Sequence, residues 1–182
     1  MKRINIPLTT KGIKDFKDKI DNLITQLPKV NEQILSELAD LGQSEIEKNR
    51  ASTIYTDGND DYKVFKEKTE NGYKVGARGS QVLYDEFGTG TEGINEPHPI
   101  KNEFNLKEYN SGKKIRTASI KMKPDTGILP GEKYWTYKGK DGELVYTQGI
   151  PAGKEVYNAW NKVKNEKSKI IKKKVGEVLS KL

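Results

Sequence analysis

Cysteine is absent from this chain of 182 residues, and histidine occurs once, as His98. Without cysteine, a disulfide framework, a thiolate metal site and a cysteine nucleophile are excluded, and one histidine does not make a histidine-based zinc site. No apolar run approaches the length of a membrane span, and the basic N-terminus is not followed by the apolar stretch of a signal peptide. We therefore expect a protein that is made in the cytoplasm and has no membrane partner.

The chain is also poor in apolar residues. Only 33% of its residues are hydrophobic, which is below the usual share in globular domains, while its length suits one domain over residues 1–182. So small a hydrophobic core indicates helical arms or long loops that bury little surface within one copy of the chain. An oligomer or a partner protein would then bury the remaining apolar surface. Partial disorder is the alternative explanation.

The net charge of +7 comes mainly from lysine. A positive charge permits contact with nucleic acid or with an acidic protein surface. Arginine, whose planar fork suits specific recognition of bases and phosphates, is scarce. We therefore interpret the charge as a source of solubility or of loose electrostatic attraction, or as a result of the codon bias of an AT-rich genome.

Apolar periodicity predicts helices at both ends of the chain. Apolar residues recur at three- and four-residue steps within residues 9–49, which predicts an N-terminal helical region with Thr9 and Thr10 as candidate N-caps. Pro28 ends or kinks a helix, so this region forms either a hairpin of two helices or one long bent helix. A second periodic stretch, after a turn rich in proline and glycine, predicts a C-terminal helix over residues 153–181.

The middle of the chain, residues 62–148, has the alternation and turns of a β-rich core. An Asn-Gly pair at positions 71–72 and an Asp-Gly pair at positions 141–142 predict two hairpins, and residues 80–87 fit either a short helix or a third strand. Residues 88–130 are polar and too long for a plain connection, which predicts a projecting loop. The expected fold is α+β: N-terminal helices, a small antiparallel sheet with two hairpins, a long loop and a C-terminal helix.

Few residues are placed for chemistry. Asp85 and Glu86 are adjacent, so on a strand or a helix their side chains point apart and form no obvious acid–base pair. His98 lies between two prolines, with no serine, carboxylate or second histidine placed in the sequence to assist it, so we expect a loop histidine without a role. Residues 88–93 fit G-x-G-x-x-G, but the prolines that follow oppose the helix that a dinucleotide site needs. We predict no enzyme, no cofactor and no metal site, and a hydrolase built on Asp85, Glu86 and His98 is the least favoured alternative.

Two segments break from an aromatic run into a glycine-rich turn. Residues 84–90, YDEFGTG, resemble the Y-x-E-F-G-T-G signature of small virion proteins of tailed phages, a family named after gene product ten of phage HK-ninety-seven. Residues 149–160, GIPAGKEVYNAW, look like the proline-containing turn that leads into the C-terminal helix of that family. The order of the elements along the chain and its length are also similar to those of family members.

The resemblance implies a structural virion protein without catalytic residues. It would form a homo-oligomeric ring around the DNA channel in the neck or tail, after assembly in the cytoplasm of the host bacterium. Its neighbours would be head-completion proteins and tail-tube or tail-terminator proteins, and packaged DNA would pass without sequence-specific binding. The residues that carry the motifs and, by hypothesis, contact other subunits are Tyr84, Glu86, Phe87, Gly88, Thr89, Gly90, Gly149, Pro151, Ala152, Tyr157 and Trp160.

A basic nucleic-acid-binding module is the alternative function. It would stack bases on the aromatic residues of the second hairpin and use the lysine-rich stretch at residues 162–174 of the C-terminal helix. It predicts tight binding with a steep dependence on salt. The same aromatic residues are also what a packed sheet face contains, and we favour packing for Tyr134, Trp135, Tyr137 and Tyr146.

Overall fold

The computed structural model of the protein describes residues 7, 9–52, 61–90, 97–100, 103, 116–118, 128–138 and 141–180. Most of the predicted projecting loop, residues 88–130, lies outside these residues. Within them the elements in chain order are α1 (Thr10–Ala51), β1 (Lys63–Thr69), β2 (Gly72–Arg78), α2 (Val82–Phe87), β3 (Arg116–Thr117), β4 (Lys133–Lys138), β5 (Leu144–Thr147) and α3 (Glu155–Leu179). The α+β class predicted from the sequence is confirmed.

The N-terminal helical region is one helix, α1, of 42 residues with Pro28 inside it. Thr9 is its N-cap, since its Oγ1 accepts the backbone N–H of Gly12 at 3.1 Å. A proline removes one backbone donor, but the turn that follows packs through Val30 and Ile34, which are both buried. Of the two arrangements that the sequence allowed, a hairpin and a single helix, packing selects the single helix.

The C-terminal half of α1 packs antiparallel against α3. The amide of Asn49 donates to the Glu155 carbonyl at 2.9 Å, close to the start of α3, and Lys174 pairs with Glu37 at 3.0 Å farther along. The N-terminal half of α1 behaves differently, because its apolar stripe is open to solvent: Ile13, Ile24 and Leu27 remain at least 50% exposed.

Gly42 is buried where α1 meets both α3 and β2. A Cβ atom at this position would lie 3.5 Å from Val163 and 3.6 Å from Val75, which are ordinary contact distances. Because glycine in a helix interior costs about 1 kcal/mol relative to alanine, we expect Gly42→Ala to raise the free energy of unfolding by about 0.5–1 kcal/mol in urea titrations. Gly42→Leu is the matched control, and overpacking should lower the same quantity by about 1–3 kcal/mol. An alanine variant less stable than the native protein would contradict this packing.

Both predicted hairpins are present. β1 and β2 pair antiparallel with Thr69 opposite Gly72, so the two-residue loop is formed by Glu70 and Asn71. Gly72 itself opens β2 with φ +149°, a conformation that favours glycine. β4 and β5 also pair antiparallel, with Lys138 opposite Leu144.

The prediction of one small sheet is wrong, because the hairpins belong to two separate sheets. One holds β1 and β2, and the other holds β3, β4 and β5 in that order. The two sheets pack against different parts of the chain. The first lies on α1, where Lys66 pairs with Asp40 at 2.5 Å, whereas the second has its own cluster of Ala118, Ile128 and Tyr134.

The structure decides which element residues 80–87 form and moves the start of the C-terminal helix. Residues 80–87, which fitted a helix or a strand, contain α2, so the helix alternative is the one observed. The C-terminal helix begins at Glu155 instead of residue 153, because Lys154 has φ 59° and is left-handed. A helix does not extend through a left-handed residue, so the turn of residues 149–153 ends before α3 starts.

Candidate functional site

The two motif segments lie against each other in the folded chain. The backbone N–H of Thr89 donates to the Ile150 carbonyl at 2.8 Å, and the Thr89 hydroxyl oxygen accepts the Ile150 N–H at 3.1 Å. We call residues 85–90 together with residues 148–157 the joint. The sequence identified each half of the joint, and the fold brings the halves together.

Two glycines allow this close approach. Gly88 has φ 69°, and a Cβ on it would lie 2.6 Å from the backbone nitrogen of Ala152. Gly149 has φ 97°, and a Cβ on it would overlap the carbonyl oxygen of Thr89. The sequence hypothesis assigned this glycine turn to a contact between subunits. In the structure the close approach is made within one chain.

We expect Gly149→Ala to lower the free energy of unfolding by about 2–3 kcal/mol. The cost combines a left-handed conformation, which is about 1–2 kcal/mol for a residue with a Cβ, with displacement of the Thr89 carbonyl. Gly131→Ala is the matched control, since Gly131 has φ 89° but nothing within 4 Å of its built Cβ. It should cost only the conformational part, about 1 kcal/mol. Equal losses in urea titrations of the two variants would contradict the overlap.

Glu86, in the middle of the first motif, caps the N-terminus of α3. Its Oε2 accepts the N–H of Val156 at 2.8 Å and its Oε1 accepts the N–H of Tyr157 at 2.9 Å. N–H groups in the first turn have no partner inside the helix, and a negative charge there is favoured by the helix dipole. The side chain of Lys154, the local N-cap residue, makes no capping hydrogen bond. The helix is capped instead by Glu86, which lies seventy positions before Val156 in the sequence.

The unusual start of α3 was the available signal for this distant cap. A helix that begins after a lysine, where serine, threonine, aspartate or asparagine is preferred, leaves its first N–H groups without a local acceptor. The lack of these four residue types in residues 148–154 was therefore a signal present in the sequence, although it does not identify Glu86 as the residue that supplies the cap.

The prediction for His98 is wrong. From the sequence no carboxylate was placed to assist this histidine, and a loop residue without a role was expected. In the structure His98 is 3% exposed and its Nε2 lies 3.0 Å from Glu86 Oε1. Its Nδ1 accepts the N–H of Ile100 at 3.3 Å, so the neutral ring carries its proton on Nε2 and donates it to Glu86. The ring packs between Phe87 and Tyr157, with centroids 4.6 and 4.9 Å away.

The Glu86–His98 pair has the geometry of a structural hydrogen bond. Both carboxylate oxygens of Glu86 already accept backbone N–H groups at the start of α3, so the helix terminus holds this side chain in place. The ring of His98 is enclosed by aromatic side chains. This arrangement fits the support of a helix terminus better than general base catalysis.

Asp85 has a different partner from Glu86, as adjacent residues on a helix should. Its Oδ2 lies 2.8 Å from Arg50 Nη1, which is also 3.7 Å from Glu155 Oε1. The side chains of Arg50, Asp85 and Glu155 are 11%, 5% and 1% exposed, so this cluster joins the ends of α1, α2 and α3 in a buried place. The guanidinium lies 4.5 Å above the ring of Tyr62. Burial first, then the charges of Glu155 and Glu86, raises the pKa of the Tyr62 hydroxyl well above its usual range, so it stays protonated.

The predicted motif residues differ in exposure. Trp160, one turn beyond the joint on α3, is 60% exposed. Four are intermediate: Tyr84, Gly149, Pro151 and Tyr157. The remaining six are buried: Glu86, Phe87, Gly88, Thr89, Gly90 and Ala152.

An apolar groove of about 850 Å³ lies beside the joint, between α1, the β1–β2 hairpin, α2 and α3. Val75 and Val163 lie next to Gly42 at its floor, and the exposed side chains of Leu83 and Trp160 lie at its mouth. Among the described residues, no three histidine, aspartate or glutamate side chains are grouped as metal ligands would be. In the same part of the chain, no helix combines the length and apolar character that crossing a membrane requires.

Comparison of the chain with protein-family models, with curated proteins and with solved structures finds no match. The joint, the groove and the two motif segments therefore carry the functional proposals.

Proposed function

We propose that this protein is a structural virion protein of a tailed phage, part of the neck, head–tail joining or tail-completion ring around the DNA channel. The similarity of residues 84–90 and 149–160 to the family signature supports this. The observation that carries the proposal is the cap by Glu86, because a residue of the first motif holds the helix that the second motif begins. The two signature segments are one structural unit, and their residues serve architecture instead of chemistry.

The joint suits a ring subunit for a mechanical reason. Buried hydrogen bonds and the Arg50 cluster fix the ends of three helices relative to one another. Subunits of a closed ring must present their contact surfaces at a fixed angle, since small errors accumulate around the ring. Exposed apolar side chains at Ile13, Ile24, Leu27 and Trp160 leave surface for neighbouring copies and for head-completion or tail-tube proteins.

The nucleic-acid alternative is less well supported. Tyr134 and Trp135 are 8% and 9% exposed, so neither offers a ring face on which bases could stack. The exposed lysines of α3 would still attract phosphate without regard to sequence. This fits DNA that passes through a channel better than a dedicated binding module.

Co-assembly tests the proposal directly. The purified protein is sized by analytical ultracentrifugation alone and after mixing with the head-completion and tail-tube proteins encoded beside its gene, and assemblies are imaged by electron microscopy. We expect a ring-shaped homo-oligomer, either alone or on one of those proteins. A strict monomer that binds none of them, or a monomer that binds duplex DNA tightly with a steep salt dependence, would overturn the proposal.

A further inference from the structure

We propose that the groove beside the joint docks an amphipathic helix of a partner protein whose apolar face is flanked by acidic residues. This deepens the proposed function, on which it rests for the identity of the partner as another virion component. The groove is defined by its floor at Gly42, Val75 and Val163 and by its mouth at Leu83 and Trp160.

Shape and polarity fit a helix. The groove of about 850 Å³ is lined by the apolar faces of α1 and α3, by the β1–β2 hairpin and by α2. Leu83 and Trp160 at its mouth remain 46% and 60% exposed, although both are large apolar side chains. Helix-in-groove recognition uses apolar anchors spaced at i, i+3, i+4 and i+7 that enter such a surface.

The charge at the rim is positive. Lys74 lines the groove, with its Nζ 6.0 Å from the centre of the Phe65 ring. Lys164 follows Trp160 by four residues and Lys167 follows Val163 by four, so both lysines continue the face of α3 that lines the groove. Within the described part of the chain, Lys74, Lys164 and Lys167 form no ion pair.

Nearby acidic groups do not neutralise this rim. Glu86 lines the inner end of the groove, where its oxygens are bound to α3 and to His98. Glu67, on the strand beside Lys74, pairs with Arg78 at 2.6 Å. An apolar helix with glutamate or aspartate at its flanks would therefore gain both burial and electrostatic attraction.

The same charge argument disfavours two other occupants. The exposed stripe of α1 in a second copy lies within residues 11–29, which carry five lysines and three aspartates, for a net charge of 5 − 3 = +2. That sign matches the rim and would weaken docking. A nucleic-acid backbone would match the lysines but would leave the apolar lining without a partner.

The test uses the whole protein and two synthetic helical peptides with the same leucine anchors, one flanked by glutamates and the other by lysines. The fluorescence of Trp160 reports binding, since this side chain is 60% exposed. Trp135, the other tryptophan of the chain, is 9% exposed. We expect the glutamate peptide to shift the tryptophan emission to shorter wavelength and to bind at least about tenfold more tightly than the lysine peptide, with an affinity that falls as salt rises.

Matched charge variants locate the site. The double variant Lys164→Glu and Lys167→Glu should weaken the glutamate peptide about tenfold or more and should reverse the preference between the peptides. The control makes the same charge change at Lys172 and Lys173, which lie roughly 100° or more around the helix from the groove face. It should change the affinity less than about twofold.

Four outcomes would overturn the inference. They are no binding of either peptide, equal affinity for both peptides, equal loss in the two charge variants, and tighter binding of a peptide that copies residues 11–29, which would make a second copy the occupant. Peptide binding needs no ring, so the two proposals fail separately. A ring-forming protein that binds neither peptide overturns only the groove inference, and a peptide-binding protein that never assembles overturns only the proposed function.

Discussion

Replacing Arg50 by methionine is expected to lower the free energy of unfolding by about 3–5 kcal/mol, the cost of removing one partner from a buried ion pair. Arg50 lies 2.8 Å from Asp85 and 3.7 Å from Glu155, whose side chains are 5% and 1% exposed. Methionine fills much of the same volume without charge. The two carboxylates would then lose the Arg50 charge while remaining out of water, and the meeting point of α1, α2 and α3 would loosen.

Urea titration followed by circular dichroism measures this loss, and Arg78→Met is the matched control. Arg78 pairs with Glu67 at a similar distance, 2.6 Å, but the two side chains are 59% and 45% exposed. Exposed pairs contribute at most about 1 kcal/mol, so the control should be nearly as stable as the native protein. Losses of the same size at both positions would show that burial of the Arg50 cluster does not govern its contribution.

Glu86→Ala is expected to lower the free energy of unfolding by about 3 kcal/mol, from loss of a helix cap and of buried hydrogen-bond partners. The N–H groups of Val156 and Tyr157 would lose their acceptor, and His98 would lose the acceptor for its Nε2 proton. The start of α3 should then fray. Amide hydrogen exchange at residues 156 and 157 should become faster than at the middle of α3.

Two further variants separate capping from a general effect of removing a glutamate. Glu86→Gln keeps one acceptor oxygen and should lose about half as much stability as the alanine variant. Glu132→Ala removes a glutamate that accepts one backbone N–H, from Leu129 at 2.9 Å, in an exposed turn, and should cost about 1 kcal/mol or less. Unchanged exchange at residues 156 and 157 in Glu86→Ala would refute the cap.

Local patterns were sufficient for the elements that depend on local interactions. The periodicity of apolar residues predicted α1 and α3. Thr9, one of the two candidate N-caps, caps α1, and the sequence could indicate this because capping involves residues three positions apart. The Asn-Gly and Asp-Gly steps predicted both hairpins, because short turns restrict the backbone at those positions. Pro28 left two arrangements open, since one missing donor does not decide whether a helix continues or turns back.

The sequence by itself determined the α+β class, the two hairpins, the two motif segments and the absence of cysteine chemistry. Only the tertiary structure decided that the motif segments form one joint, that Glu86 caps α3 and bonds His98, and that the hairpins lie in separate sheets. The reason is the range of the interactions. The cap and the buried ion pair join residues that are 35 to 71 positions apart in the sequence. Such pairs produce no periodic pattern of residue types, because only the fold brings the two residues close in space.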